Sequence, residues 1–235
     1  MLPERLQALL ILQDRDQRRV QLEKALAQIP RDRAAAEARI AAHKAEIEAG
    51  KRSVTELELK RKDLEATLRG HEEQIRKYRS QQMLVKKNDE YQALTHEIEQ
   101  TEAKIGEAEE AEIRILYELD TERAKAKAAE QAILEEIARE QAQLGRIAER
   151  EQQARADLGG ALDDVAKARS GVQAELLPRY DRLAKTAGLP VVVALHASKC
   201  GGCHLKVSNG VETEARKGTE IVTCDNCGRV LYFEA

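Results

Sequence analysis

Apolar residues recur at a 3.5-residue spacing along most of this chain. Between residues 31 and 82 one inward row reads Ile40, Ile47, Val54, Arg61, Leu68 and Ile75, and the other His43, Gly50, Leu57, Leu64, His71 and Tyr78. The spacing is sustained over six heptads, which favours a left-handed coiled coil over a lone amphipathic helix. It resumes after Asn88 with Tyr91, Leu94, Ile98, Ile105, Ile115, Leu119, Ala126, Ala129 and Ile133, then slips in phase through Ile137, Leu144, Ile147, Ala154 and Leu158. Polar or small residues interrupt the seam at Arg61, His43, His71, Gly50, Glu112 and Glu122; such positions cost stability and set register. Neither histidine has a Cys or His neighbour at helical spacing, so both read as half-exposed seam positions.

Between the two runs lies Met83-Leu-Val-Lys-Lys-Asn-Asp89, with Asn88 or Asp89 suited to cap the second helix. Two arms of nearly equal length predict an antiparallel hairpin that turns near 83–88, with facing residue numbers totalling about 171 and each arm on the order of 100 Å or more. Pro30 removes a helical hydrogen bond, so it predicts a kink near 30, opposite the neighbourhood of Gly145, or a full turn and a third helix. The sequence does not choose between these. Gly159-Gly160 falls opposite Ile11-Leu12 in the same register.

The pattern changes after Ala187. Residues 172–187 read as a short connecting helix with Pro178 near its start or middle, ended by Gly188-Leu-Pro190. Strands are predicted at Val191–Leu195, Glu220–Thr223 and Arg229–Phe233. The predicted organisation is therefore mainly α: a coiled-coil hairpin over 1–171, a connecting helix over 172–187, and a small β domain over 188–235.

Composition sharpens this picture. Six of 235 residues are aromatic and 34% are charged, so an ordinary large globular core is excluded and long helices are favoured. The net charge of −3 excludes coating of nucleic acid by bulk charge. No apolar run approaches the length of a membrane span, so no membrane insertion is expected. The N-terminus lacks a basic n-region and a small-residue cleavage site, and reads as mature and cytoplasmic. In a reducing compartment four cysteines point to metal rather than disulfides.

Their spacing names the metal. Cys200-Gly-Gly-Cys203 and Cys224-Asp-Asn-Cys227 are two C-x2-C pairs 20 residues apart, as four-thiolate zinc sites require. Two intervening residues let a tight knuckle aim both sulfurs at one ion, with Gly201, Gly202, Asn226 and Gly228 available for positive φ. An intervening hairpin would set the knuckles face to face. Four thiolates close the tetrahedral shell of one structural Zn2+, and a domain this small needs that metal to fold. Haem attachment at Cys200-Gly-Gly-Cys-His204 would need export and would leave Cys224 and Cys227 unexplained. A thioredoxin-like pair lacks its βαβ setting. His204 is placed beside the site or at the surface, because its adjacency to Cys203 makes joint ligation awkward.

Two charged stretches bear on partners. Residues 74–88 hold Arg76, Lys77, Arg79, Lys86 and Lys87 with no acid, and interleave Tyr78 and Met83. Cations beside an aromatic suit a phosphate backbone with an exposed base, or an acidic protein; a solvated helix end is the plain alternative. From Glu97 to Glu122 ten acids face Lys104 and Arg114, which reads as a solvated face and argues against nucleic acid wrapping the arms. The ribbon is near neutral before the thiolates are counted, so it is no obvious phosphate binder. No phosphate-binding, dinucleotide-binding, nucleophile-elbow or zinc-protease motif occurs, so no enzyme is expected.

Lys87-Asn-Asp-Glu-Tyr-Gln-Ala-Leu94, Leu177-Pro-Arg-Tyr180, the two knuckles and Val230-Leu-Tyr232 together resemble the bacterial family of coiled-coil proteins with a C-terminal C4-type zinc ribbon. The resemblance spans essentially the whole chain. It implies a zinc-binding, non-enzymatic adaptor that takes its metal on Cys200, Cys203, Cys224 and Cys227. The family is commonly described as nucleic-acid-binding, and some members are linked to flagellar or type III secretion regulation through a sigma factor, export components or messenger RNA. A protein partner, RNA or DNA, and association into a homo-oligomer are all compatible with it.

Overall fold

In the computed structural model, which describes residues 3–233, two long helices precede a small sheet. Helix α1 spans Glu4–Gln82 and α2 spans Asn88–Ser170. They are followed by α3 (Leu177–Thr186), β1 (Val192–His196), β2 (Lys199–Cys200), α4 (Asn209–Lys217), β3 (Val222–Thr223) and β4 (Val230–Phe233). The chain packs as two compact units: Ala35–Leu144, and the residues up to Ala34 together with those from Gly145 on.

The unit Ala35–Leu144 is an antiparallel helix pair. The two inward rows of its first arm, from Ile40 to Tyr78, are buried or half-buried at every position. On α2 the inward row holds Ile98, Thr101, Leu119, Ile133 and Ile137, all buried, while Tyr91 and Ala129 face solvent. Arg39, Lys51 and Arg79 on α1 pair with Glu140, Glu130 and Glu102 on α2 at 2.7–2.9 Å, and Glu58 with Arg123 at 2.5 Å. Gly50 lies 3.7 Å from the Ala126 Cβ, and Gln82 donates to Thr95 at 2.8 Å. These last two contacts correct the predicted register: each partner lies more than one helical turn further along α2 than a total of 171 allows. Equal arm lengths set the register only if both helices leave the turn at the same height. The side-chain contacts here show that they do not. Asn88 and Asp89 lie within the first turn of α2 rather than before it.

The other unit begins with the first residues of α1. Pro30 lies inside α1, which runs through it without a break, so the three-helix alternative is excluded. Ile29 beside it is buried. Arg33 pairs with Glu151 and Arg150 with Asp32, which places α2 residues past Gly145 opposite this stretch. α3 is shorter than predicted, because residues 171–176 form turns and the helix starts one residue before Pro178. Pro there loses no helical hydrogen bond, since first-turn N–H groups have no intrahelical acceptor.

The sheet order is β2-β1-β4-β3. β1 runs parallel to β4, Val192 against Val230 through Leu195 against Phe233; the other pairs are antiparallel. β1 and β4 start one residue later than predicted, and β3 shrinks to Val222–Thr223. Two apolar clusters hold this unit together. In one, Leu6, Leu9 and Leu12 of α1 pack with Val165, Tyr180, Leu183, Val191, Val192 and Val230. The second gathers Val193, Leu195, Val207, Ala215 and Leu231 around Cys200 and Cys224. The helical base and the sheet thus share one core.

A side-chain amide joins them. β2 covers only the last two residues of β1, which leaves the outer edge of β1 open at Val192. Gln13 of α1 fills that gap. Its Nε2 donates to the Val192 carbonyl at 2.9 Å, and the Val192 N–H donates to its Oε1 at 2.6 Å. Gln13 is 7% exposed and serves as a one-residue strand neighbour.

Candidate metal centre

Each C-x2-C pair forms the same backbone knuckle. The Cys200 N–H donates to the Leu205 carbonyl at 3.0 Å and its carbonyl accepts from His204 at 2.8 Å. In the second pair the Cys224 N–H donates to Arg229 at 2.9 Å and its carbonyl accepts from Gly228 at 2.9 Å. The residue after each second cysteine is left-handed, His204 at φ 61° and Gly228 at φ 73°. This corrects the expectation for Gly201, Gly202 and Asn226, none of which has a positive φ. The glycines of the first knuckle serve close approach instead. A Cβ on Gly201 would lie 2.8 Å from the Ala194 carbonyl oxygen, and one on Gly202 would lie 2.4 Å from the Arg229 side chain. His204 is an exposed residue occupying the position that glycine fills in the second knuckle.

The segment between the knuckles is no hairpin. It forms α4, opened by Ser208, whose Oγ accepts from the Val211 N–H, and closed by left-handed Gly218. The capping serine before a run with helical charge spacing, and the glycine after it, were the readable signals of this helix. The second knuckle is tied back across the site by Asn226, which donates to the Lys206 carbonyl, and by Asp225, which accepts from the Ser208 N–H.

The four sulfurs meet at one point. Sγ of Cys200 and Cys227 are 3.8 Å apart, as are those of Cys203 and Cys224, and all four lie within 4.8 Å of one another. A tetrahedron of sulfurs at about 2.3 Å from Zn2+ has edges of about 3.8 Å, so these sulfurs fit that ion. A disulfide needs about 2.05 Å, and all four cysteines are free thiols. Burial pushes the Cys200 thiol up to about 12. Burial acts the same way at Cys227, but the Arg229 N–H, the neighbouring sulfurs and the Arg229 side chain outweigh it and hold that thiol down to about 7. A bound Zn2+ overrides both, because a coordinating thiol is deprotonated outright. The Gly202 N–H, 3.4 Å from the Cys200 Sγ, is placed to steady that thiolate.

Arg229 was not singled out from sequence beyond its place in the motif. Its Nε donates to the Pro190 carbonyl at 2.9 Å and its Nη2 to the Ala187 carbonyl, which anchors the second knuckle to the end of α3. Only the fold shows this, since the partners lie some 40 residues away in sequence.

The cations of residues 74–88 belong to the compact unit Ala35–Leu144. Arg79 is paired with Glu102, Lys87 with Glu90 at 3.3 Å, and Arg76 with Glu72 at 4.0 Å. Among the described residues Lys77 and Lys86 make no ion pair. Tyr78 is half-buried in the seam, where its hydroxyl accepts from Gln74 at 2.7 Å. The turn exposes Met83 and Leu84 at 86% and 79%.

Residues 199–231 match the family model of C4-type zinc ribbon domains. No curated protein matches the chain in sequence. Among solved structures it is similar to CT398 from Chlamydia trachomatis, at 23% identity and a TM-score of 0.82, covering 97% of both chains. It is also similar to the HP0958 protein from Helicobacter pylori (18% identity, TM-score 0.57, 100% of this chain and 99% of that one). A protein from Mycobacterium smegmatis gives 16% identity and a TM-score of 0.60 over 98% and 99%. These likenesses establish the mainly helical fold with its small strand-bearing end. No helix among the described residues is long and apolar enough to cross a membrane. The C-terminal part of this chain is a C4-type zinc ribbon whose four clustered cysteines fit one structural Zn2+.

Proposed function

We propose that this chain is a non-catalytic, zinc-stabilised adaptor of the cytoplasm that recruits protein or nucleic-acid partners through its ribbon and its hairpin turn. The observation that carries this reading is the closed tetrahedron of sulfurs. Four thiolates leave the metal no position for water or substrate, so its contribution is to hold a small surface in shape. The turn supports a contact role in a different way. Met83 and Leu84 are exposed there, in a stretch whose Lys77 and Lys86 have no ion-pair partner among the described residues, and exposed apolar residues near charge mark interaction sites. The resemblance to flagellar and type III secretion zinc-ribbon adaptors makes a sigma factor or an export component the first protein class to test.

The test is affinity capture from the native host, with and without RNase, using the intact chain, a turn variant and a ribbon variant. The turn variant combines Lys77→Glu, Lys86→Glu, Met83→Ser and Leu84→Ser; the ribbon variant is Cys224→Ser. Partners that survive RNase and are lost from either variant support a protein adaptor. Partners lost with RNase, and bound with a steep salt dependence, make the chain a nucleic-acid regulator. An unchanged partner set in both variants overturns the adaptor reading.

A further inference from the structure

We propose that the outer face of the first knuckle is a docking site for a short acidic segment of a partner protein. The inference rests on the adaptor reading and gives the ribbon's partner its chemistry. Its basis is a row of side chains set by strand register. His196 faces Lys199 across the β1–β2 hairpin, and Lys199 faces Lys206 in an antiparallel bridge. Opposed residues of antiparallel strands send their side chains to the same face, with Cβ atoms about 5 Å apart. Three basic side chains therefore stand in line, all exposed.

This arrangement costs stability twice. Like charges opposed across strands repel, and among the described residues neither Lys199 nor Lys206 has an ion-pair partner of its own. Glu212, the acid whose charge reaches Lys206 from α4, is held by Arg216 at 2.6 Å. The hairpin loop is also strained. Its two residues, Ala197 and Ser198, have φ of 47° and 65°, the signs that a type I′ turn demands and that Asn-Gly supplies without penalty. Contacts of Ser198 hold the loop in this shape and fix the register of the row: its side chain hydrogen-bonds Glu212 and its carbonyl accepts from the Val207 N–H at 2.9 Å.

His196 and Lys199 of this row line a groove of about 550 Å3. Ala194 and Tyr232 of the sheet line it, with Gln17 of α1 and Gly201 and His204 of the knuckle. Apolar and aromatic groups meet amides and an imidazole there, with cations at the rim. A segment carrying one or two carboxylates next to an apolar residue matches that combination: carboxylates on Lys199 and Lys206, the apolar side chain against Tyr232. A continuous polyanion does not match it. The row is one residue deep, and acids stand on the elements around it, Glu212 on α4 and Asp225 in the second knuckle, while four thiolates around Zn2+ add a formal −2. A phosphodiester strand would run onto those charges, whereas a short peptide ends before them.

Fluorescence anisotropy with the zinc-loaded full-length chain tests this, using two labelled probes. One is a short glutamate-rich peptide with a central leucine pair, the other an oligouridylate of matched formal charge. We expect the peptide to bind more tightly than the oligouridylate and to weaken with salt. Lys199→Glu combined with Lys206→Glu should weaken the peptide about tenfold or more, with zinc content and circular dichroism unchanged. A second readout uses single variants: Lys199→Ala and Lys206→Ala should each weaken the peptide, with zinc content and the ribbon's unfolding midpoint little changed. No peptide binding at low salt, binding unchanged in the double variant, or preference for the oligouridylate overturns the proposal. If cellular partners are still captured when the peptide fails, the adaptor reading stands on another surface; loss of both removes both.

Discussion

His204 shows how much a single position can carry. It follows Cys203 directly and reads from the sequence as lying beside the metal or at the surface; its φ of 61° and hydrogen bonds matching those of Gly228 give it a further role, the left-handed closing residue of a knuckle. His204→Gly is therefore expected to keep one zinc per chain and to stabilise the ribbon, by up to about 1 kcal/mol, since glycine meets no Cβ penalty there. Metal counting with thermal unfolding checks both, and loss of zinc in this variant would make the imidazole a ligand after all. Gln13 makes the complementary point. Gln13→Leu keeps the volume but takes from the buried Val192 the partner of both its N–H and its carbonyl. The expected cost is about 1–3 kcal/mol for each group left unsatisfied, read from the denaturant midpoint of the ribbon unit. The zinc ligands were legible because their chemistry is local, two cysteines at a fixed spacing. The role of Gln13 was not, because its partner lies 179 residues away.

Among the elements, the long helices were legible and their pairing was not. A heptad repeat states which face of a helix is inward, and the inward rows of the first arm are those the repeat marks. It does not state which heptad meets which. That is decided by contacts across the pair: Gly50 against Ala126, and the ion pairs of Arg39, Lys51, Glu58 and Arg79. The hydrogen bonds from Arg123 and Arg39 hold the Glu58 and Glu140 carboxyls below their ordinary range. A carboxylate whose pKa is depressed by folding stabilises above its unfolded pKa and loses that contribution as pH falls through its folded one. Stability of the helix pair is thus expected to hold through neutral pH and decline below about pH 4.5. A circular dichroism melt against pH follows this, and exchanging the charges of Glu58 and Arg123 together should restore what either reversal alone removes. α4 escaped the sequence reading for a different reason. It is a nine-residue helix with one buried side chain, Ala215, so it carries almost no apolar period and is specified mainly by its caps, Ser208 and Gly218.

At the scale of the whole molecule, the shared core changes what metal removal should do. Reading residues 188–235 as a free-standing domain predicts that chelation melts the ribbon alone. Leu6, Leu9 and Leu12 of α1, however, lie in one cluster with Val191, Val192 and Val230. Chelation is therefore expected to loosen the ends of the long helices together with the ribbon, while residues 35–144 stay folded. Hydrogen exchange with and without chelator resolves this segment by segment; protection unchanged in residues 4–13 would show that the base holds without the metal. Taken alone, the amino-acid sequence determined the helical class, the inward faces, the small β-bearing end and the four sulfurs, because periodicity and close spacing act through neighbours along the chain. Only the tertiary structure decided the register of the helix pair, the docking of Gln13 and Arg229, the helix between the knuckles and the basic row on the first of them. Those depend on groups brought together from distant positions, where many pairings are compatible with one pattern and packing selects among them.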